Sequence, residues 1–143
     1  MDRLLDNAIT GPLYLKRPEM AEMVVDAIRY QDGRHYDLHA FVVMANHVHL
    51  LITPLVEVSR LMQSLKRFTA IKGNQMLGVV GRPFWQDESF DRLVRSDTEF
   101  QNIVRYVEWN PVQAGLVATP EAYLWSSASV SQISHLGDKA AGA

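Results

Sequence analysis

A chain of 143 residues, 48% hydrophobic and 21% charged, fits one folded domain and excludes a disordered, collagen-like or coiled-coil chain, since single cores usually serve roughly 100–150 residues. The lack of cysteine excludes disulfides and thiolate metal sites, and no apolar run approaches the roughly 18–20 residues of a membrane span. A net charge of −2 gives no overall basicity, so a nucleic-acid ligand would need a local patch.

The opening MDRLLDNAIT lacks the basic start and apolar stretch of a signal peptide, which makes the cytoplasm the expected compartment. Pro18 can open a first helix over 18–31, with Ala21, Val24, Val25 and Ile28 on one face. From Tyr36 the period changes to two: Leu38, Ala40, Val42 and Met44 oppose His39, Phe41 and Val43, the pattern of a buried strand. A tight turn at Ala45-Asn46 returns the chain into HVHLLIT, giving an antiparallel hairpin over 37–53. Pro54 ends it. Ser59 is then the expected N-cap of a second helix over 59–77, with Leu61, Leu65, Phe68 and Ile71 or Lys72 facing inward. Gly78, Gly81 and Pro83 mark a loop, and FDRLVRS predicts a shorter third strand around 89–95. Ser96 and Glu99 fit a capping box for a third helix, expected to stop near Asn110 because Pro111 restricts the residue before it.

The sum is an α+β domain over 1–130, with helices on one face of an antiparallel sheet and the other face free for a ligand. Residues 131–143, ending in GDKAAGA, read as a tail.

His47 and His49 lie i and i+2 on a strand, so both imidazoles leave one face with Cα atoms roughly 6.5–7 Å apart, close enough to share a divalent ion. An isolated H-x-H pair is more often two polar residues on a solvated face. Tyr106 and Asn110 stand one helical turn apart, flanking the apolar stripe of Phe100, Ile103, Val104 and Val107. Taken singly, Tyr106 reads as an amphipathic boundary residue and Asn110 as a helix stop. His35 and His39 have no partner in the pattern and read as structural or solvated, and His135 falls in the tail. No G-x-S-x-G, H-E-x-x-H, P-loop or C-x-x-C motif occurs.

The segments LHAFVVMANHVHLLITP, SLKRFTAIKGNQMLG, FWQDESFDRLVRS and YVEWNPVQAGLV, with a weaker YLWSSA, resemble in order the single-tyrosine HUH transposases, the IS200-like and REP-associated family. The resemblance covers about Gly11 to Ser127 and implies a ferredoxin-like antiparallel sheet. It implies a divalent-metal endonuclease and strand transferase acting on single-stranded or hairpin DNA. His47 and His49 would be the HUH metal pair, Tyr106 the nucleophile that forms a 5′-phosphotyrosine, and Asn110 a third, amide-bearing ligand. Two nitrogens with oxygen donors suit Mg²⁺ or Mn²⁺. Such a protein is expected to be cytoplasmic and nucleoid-associated, with a homodimer left open.

Two departures stand out. The family's usual proline in M-P-N-H-V-H is Ala45, and relatives begin with a strand where this chain has only about ten residues, so it reads as N-terminally short and able to lack that strand. Between Leu55 and Gln86 the basic residues Arg60, Lys66, Arg67, Lys72 and Arg82 face one acid, Glu57, and form the expected phosphate-contacting surface. Trp85 either stacks on unpaired bases or plugs the core. The alternative functions are an inactive single-stranded nucleic-acid-binding remnant and a metal phosphohydrolase that uses water.

Overall fold

The first strand is present. A computed structural model describes residues 1–9 and 14–129, the side chains of 7–9 and 87–89 excepted. Its elements run β1 (Arg3–Ile9), α1 (Pro18–Gln31), β2 (Tyr36–Val43), β3 (His47–Pro54), α2 (Val58–Leu77), β4 (Trp85–Leu93) and α3 (Asp97–Gln113). The sheet order is β2-β3-β1-β4, and every pairing is antiparallel.

This corrects the expectation of a missing strand, because β1 is an inner member paired along both edges, Asp6 opposite His49 on one side and Phe90 on the other. Its sequence hid it. Asp6 and Asn7 interrupt the apolar residues and belong to strand-depleted types, and pairing with two neighbours overrides that weak propensity.

The helices are not all on one face, as the sequence suggested. Phe41, Val43, Val48, Leu50 and Ile52 point to one side and bury against Val24, Val25 and Ile28 of α1 and Leu61, Met62 and Leu65 of α2. Ala40, Val42 and Leu51 point to the other and bury against Ile103 and Val107 of α3. The apolar residues of β2 and β3 occupy both phases of the strand period, so both faces need a cover. A register shift between Leu38 and Ala40 breaks the expected alternation. Leu38 packs with the α1–α2 core, whereas Ala40 lies on the α3 side.

Helix boundaries depart from expectation at two places. Glu57, not Ser59, precedes α2, and it makes no side-chain cap bond. Ser96 does cap α3, accepting from the Glu99 N–H at 3.1 Å. α3 continues through Pro111 to Gln113. A proline costs a helix one hydrogen bond, and here the loss falls in the last turn, where the ring itself is buried. Beyond the helix, the segment carrying YLWSSA runs along the outer edge of β2: the Val43 N–H donates to the Trp125 carbonyl at 2.8 Å and the Ser127 N–H to the Phe41 carbonyl at 3.0 Å. That segment covers a strand edge that would otherwise present unpaired backbone groups. The predicted tail 131–143 and His135 lie outside the described residues.

Candidate functional site

The strand period puts His47 and His49 on the α3 side of β3, where their ring centroids stand 4.8 Å apart. α3 crosses that face and brings the Tyr106 ring to 5.6 Å from His49, edge to face. Asn110, one turn further on, completes the far wall. The result is a cleft of about 330 Å³ lined by Asp6, His47, His49, Gln86, Tyr106 and Asn110, with Asn46 and Phe90 at its margin. All four residues singled out in the sequence meet there. His49 is 4% exposed and Tyr106 53%, so the imidazole is fixed within the fold while the phenol remains open to an incoming molecule.

Burial pushes both imidazoles below the ordinary histidine range. The Asp6 carboxylate acts against that shift at each ring, and at His49 the neighbouring His47 adds to it. Both rings are therefore held neutral near pH 7, the state in which imidazole has a lone pair to offer. The orientation is also set. The His47 Nδ1–H donates to Asn46 Oδ1 at 2.8 Å, which leaves the lone pair on Nε2. His49 Nδ1 is buried and makes no hydrogen bond among the described residues. Asp6 Oδ1, 3.6 Å away, favours the proton on that nitrogen, again leaving Nε2 as the donor. A carboxylate behind an imidazole is the usual arrangement that fixes a ligand's tautomer. Sequence reading missed Asp6 because it missed the strand that carries it, and Gln86 because neither has a motif around it.

The donor set of two neutral imidazoles and the Asn110 amide fits a divalent cation that keeps open positions. No group of three or more His, Asp or Glu side chains suited to an ion occurs among the described residues, and the third donor at this cleft is an amide.

The basic set lies elsewhere. Arg60, Lys66, Arg67 and Lys72 belong to α2, in the layer across the sheet from the cleft, and Arg82 is exposed in the loop before β4. Lys66 comes closest, its Nζ donating to the carbonyl of Gln86 at 2.9 Å. Trp85 is not presented to bases. It is 9% exposed within the α1–α2 core, and its Nε1–H donates to Thr69 Oγ1 at 2.8 Å. The core-plug reading is the correct one, because an indole with its polar atom satisfied can be buried whole. Arg92 pairs with Glu99 at 3.0 Å.

Residues 17–110 match the family model described as IS200-like transposase, and the chain belongs to that family. No curated protein matches it. Among solved structures it is similar to a REP-associated tyrosine transposase bound to a REP hairpin, with a TM-score of 0.67, 19% identity, and 88% of this chain and 75% of that one covered. It is also similar to a chain assigned as a transposase in Deinococcus radiodurans R1, with a TM-score of 0.55, 22% identity, and 76% and 88% covered. Both likenesses concern the fold. Among the described residues, no helix is long and apolar enough to cross a membrane.

Proposed function

We propose that this chain cleaves and rejoins single-stranded DNA, acting as a metal-dependent transposase through a covalent tyrosine intermediate. The observation that carries the reading is the single cleft that gathers His47, His49, Tyr106 and Asn110 from two separate elements. The REP-associated neighbour, bound to a REP hairpin, supports a hairpin DNA substrate.

Tyr106 Oη attacks the scissile phosphorus. The new Oη–P bond forms as the P–O3′ bond breaks, leaving a 5′-phosphotyrosine and a 3′-hydroxyl that takes up a proton in place of the one lost by the phenol. A 3′-hydroxyl attacking the same phosphorus reverses the exchange and joins strands without ATP, because one ester replaces another. His47 and His49 through Nε2, with the Asn110 amide, would hold Mg²⁺ or Mn²⁺, and Asp6 fixes the His49 ring. Bound there, the ion supplies Lewis-acid polarisation of the phosphate and stabilises charge on the leaving oxygen. The exposed phenol is free to approach the phosphate, and Gln86 lines the cleft with Phe90 at its margin. Arg60, Lys66, Arg67, Lys72 and Arg82 contact phosphates away from the cleft, so alanine at these positions weakens binding broadly and flattens its salt dependence.

The test is incubation with a pool of single-stranded and hairpin oligonucleotides and Mn²⁺. A denaturation-resistant adduct linked through Tyr106 to a 5′-phosphate is expected, lost in Tyr106→Phe while DNA binding persists. Cleavage that survives in Tyr106→Phe assigns the attack to water, and binding without any cleavage leaves a nucleic-acid-binding remnant.

A further inference from the structure

Tyr106 stands on a longer surface than the cleft. Along the outward side of α3, Asn102, Arg105, Tyr106, Trp109, Asn110 and Gln113 follow one another at helical spacing and line a shallow groove of about 1020 Å³. It joins the cleft at Tyr106 and Asn110. From Asn102 to Gln113 there are eleven rises of about 1.5 Å, a span of roughly 16 Å and room for two or three nucleotides.

The chemistry of this groove is selective. It holds a guanidinium, two aromatic rings and three amides, and no carboxylate. The acids of α3 are directed elsewhere: a Glu108 oxygen accepts from Ser127 Oγ at 2.9 Å, Glu99 pairs with Arg92, and Asp97 lies in the first turn. Trp109 is 43% exposed, although Trp85 shows that this fold can bury an indole. An exposed indole one turn from the phenol presents a π face to which any base can stack. Amides on either side can bond to base edges, and Arg105 can meet a phosphate. In a duplex the base faces are already occupied by their neighbours, so the arrangement suits unpaired nucleotides.

The other large concavity differs in kind. The groove between α1 and α2, about 840 Å³, exposes Phe68 and Met76 and sets Glu19, Glu22 and Asp26 against one lysine, Lys72. Its interior is therefore net acidic and disfavours a phosphate chain, and Lys72 can serve phosphate only from its outer side.

We propose that the α3 groove is the track for the unpaired nucleotides adjoining the scissile phosphate, with Trp109 as the stacking residue that positions them. The proposal rests on the reading of Tyr106 as nucleophile. Trp109 touches flanking bases and not the reacting atoms, so it is a positioning residue.

The test uses the full chain carrying Tyr106→Phe, which removes the covalent step and leaves equilibrium binding. With 5-fluorotryptophan in place of its three tryptophans, the ¹⁹F resonance of Trp109 is assigned by its loss in Trp109→Phe. Addition of oligothymidine or a mixed-sequence single strand should move that resonance and leave the Trp85 resonance in place. Trp109→Ala should weaken binding roughly tenfold, as removal of a base–aromatic stack does, and Trp109→Phe should restore most of it. An unmoved Trp109 resonance with both strands, or an affinity unchanged by Trp109→Ala, overturns the proposal. So does an equal response to fully paired duplex. Failure of the catalytic reading is seen separately: a wild-type chain that forms no adduct while the Trp109 resonance moves keeps the groove and loses the nucleophile, and an adduct with an unmoved resonance does the reverse.

Discussion

On the α1–α2 side of the sheet, β2 and β3 present Phe41, Val43, Val48, Leu50 and Ile52 to two helices, and the core extends to Phe84 and Trp85. On the α3 side the same strands present Ala40, Val42 and Leu51 to one helix, and the apolar pattern then gives way to His49 and His47. The strand period makes this possible, because alternate residues of one segment can serve a core and a site at once. The first face carries most of the buried apolar surface and therefore most of the stability. The second carries a smaller core, a cleft and the exposed phenol, so its side chains can answer to chemistry.

The largest expected difference comes from Leu50, which is fully buried on the α1–α2 side. Leu50→Ala should cost about 3 kcal/mol through lost burial and a residual cavity, whereas Tyr106→Phe on the other side should stay within about 0.5 kcal/mol. Urea unfolding of the two variants checks the contrast, and equal losses would break it.

Gly73 sharpens the picture of the first face. A Cβ there would lie 2.6 Å from Cε2 of the Phe84 ring, and that ring is itself buried. Alanine normally favours a helix over glycine, yet Gly73→Ala should destabilise by about 1–2 kcal/mol because the core must shift. Combining it with Phe84→Leu should give a loss well below the sum of the two single losses, measured by the same unfolding curves. A stabilising Gly73→Ala would show that the ring moves freely.

On the cleft side, Asp6→Asn removes the carboxylate behind His49. Mn²⁺ affinity, followed by calorimetry, should fall roughly tenfold with little change in stability. Unchanged affinity would remove Asp6 from the site.

The smallest effect concerns Tyr123, whose hydroxyl donates to the Val43 carbonyl at 2.7 Å and whose pKa burial pushes up to about 12. The phenol ionises near pH 10 in the unfolded chain, so its contribution is fully present below about pH 10 and is lost as pH rises through about 12. Tyr123→Phe should be less stable than wild type by about 1 kcal/mol at neutral pH, and thermal melts should show the gap closing across that alkaline window.

Much of this was legible in the chain itself. Helical spacing from Pro18 placed α1 at its observed limits, and the shift to period two at Tyr36 located the hairpin. The i and i+2 histidines and the i and i+4 tyrosine and asparagine each had a definite face before any fold was known. These are local regularities, and a local pattern fixes which side of an element a residue occupies. Three features escaped. β1 has no alternation to announce it, since Asp6 and Asn7 break its apolar run. The bulge after Leu38 reverses the phase of β2 without a glycine or proline to mark it. α3 passes through Pro111, where a propensity rule stops it.

What the sequence determined by itself is a set of faces: the apolar stripes of α1 and α3, the strand bearing His47 and His49, and the helix bearing Tyr106 and Asn110. On α2 the expected stripe held only for Leu61 and Leu65, since Phe68 and Ile71 are exposed. Only the tertiary structure decided which faces meet. It inserted β1 between β3 and β4 and so brought Asp6 against His49; it laid α3 across the histidine side and left α2, with its basic residues, on the other. It also sent Trp85 into the core and left Trp109 in the open. The reason is physical: the choice of partners depends on burying both faces of one sheet and pairing its inner strands simultaneously, a condition on the whole chain that no single segment contains.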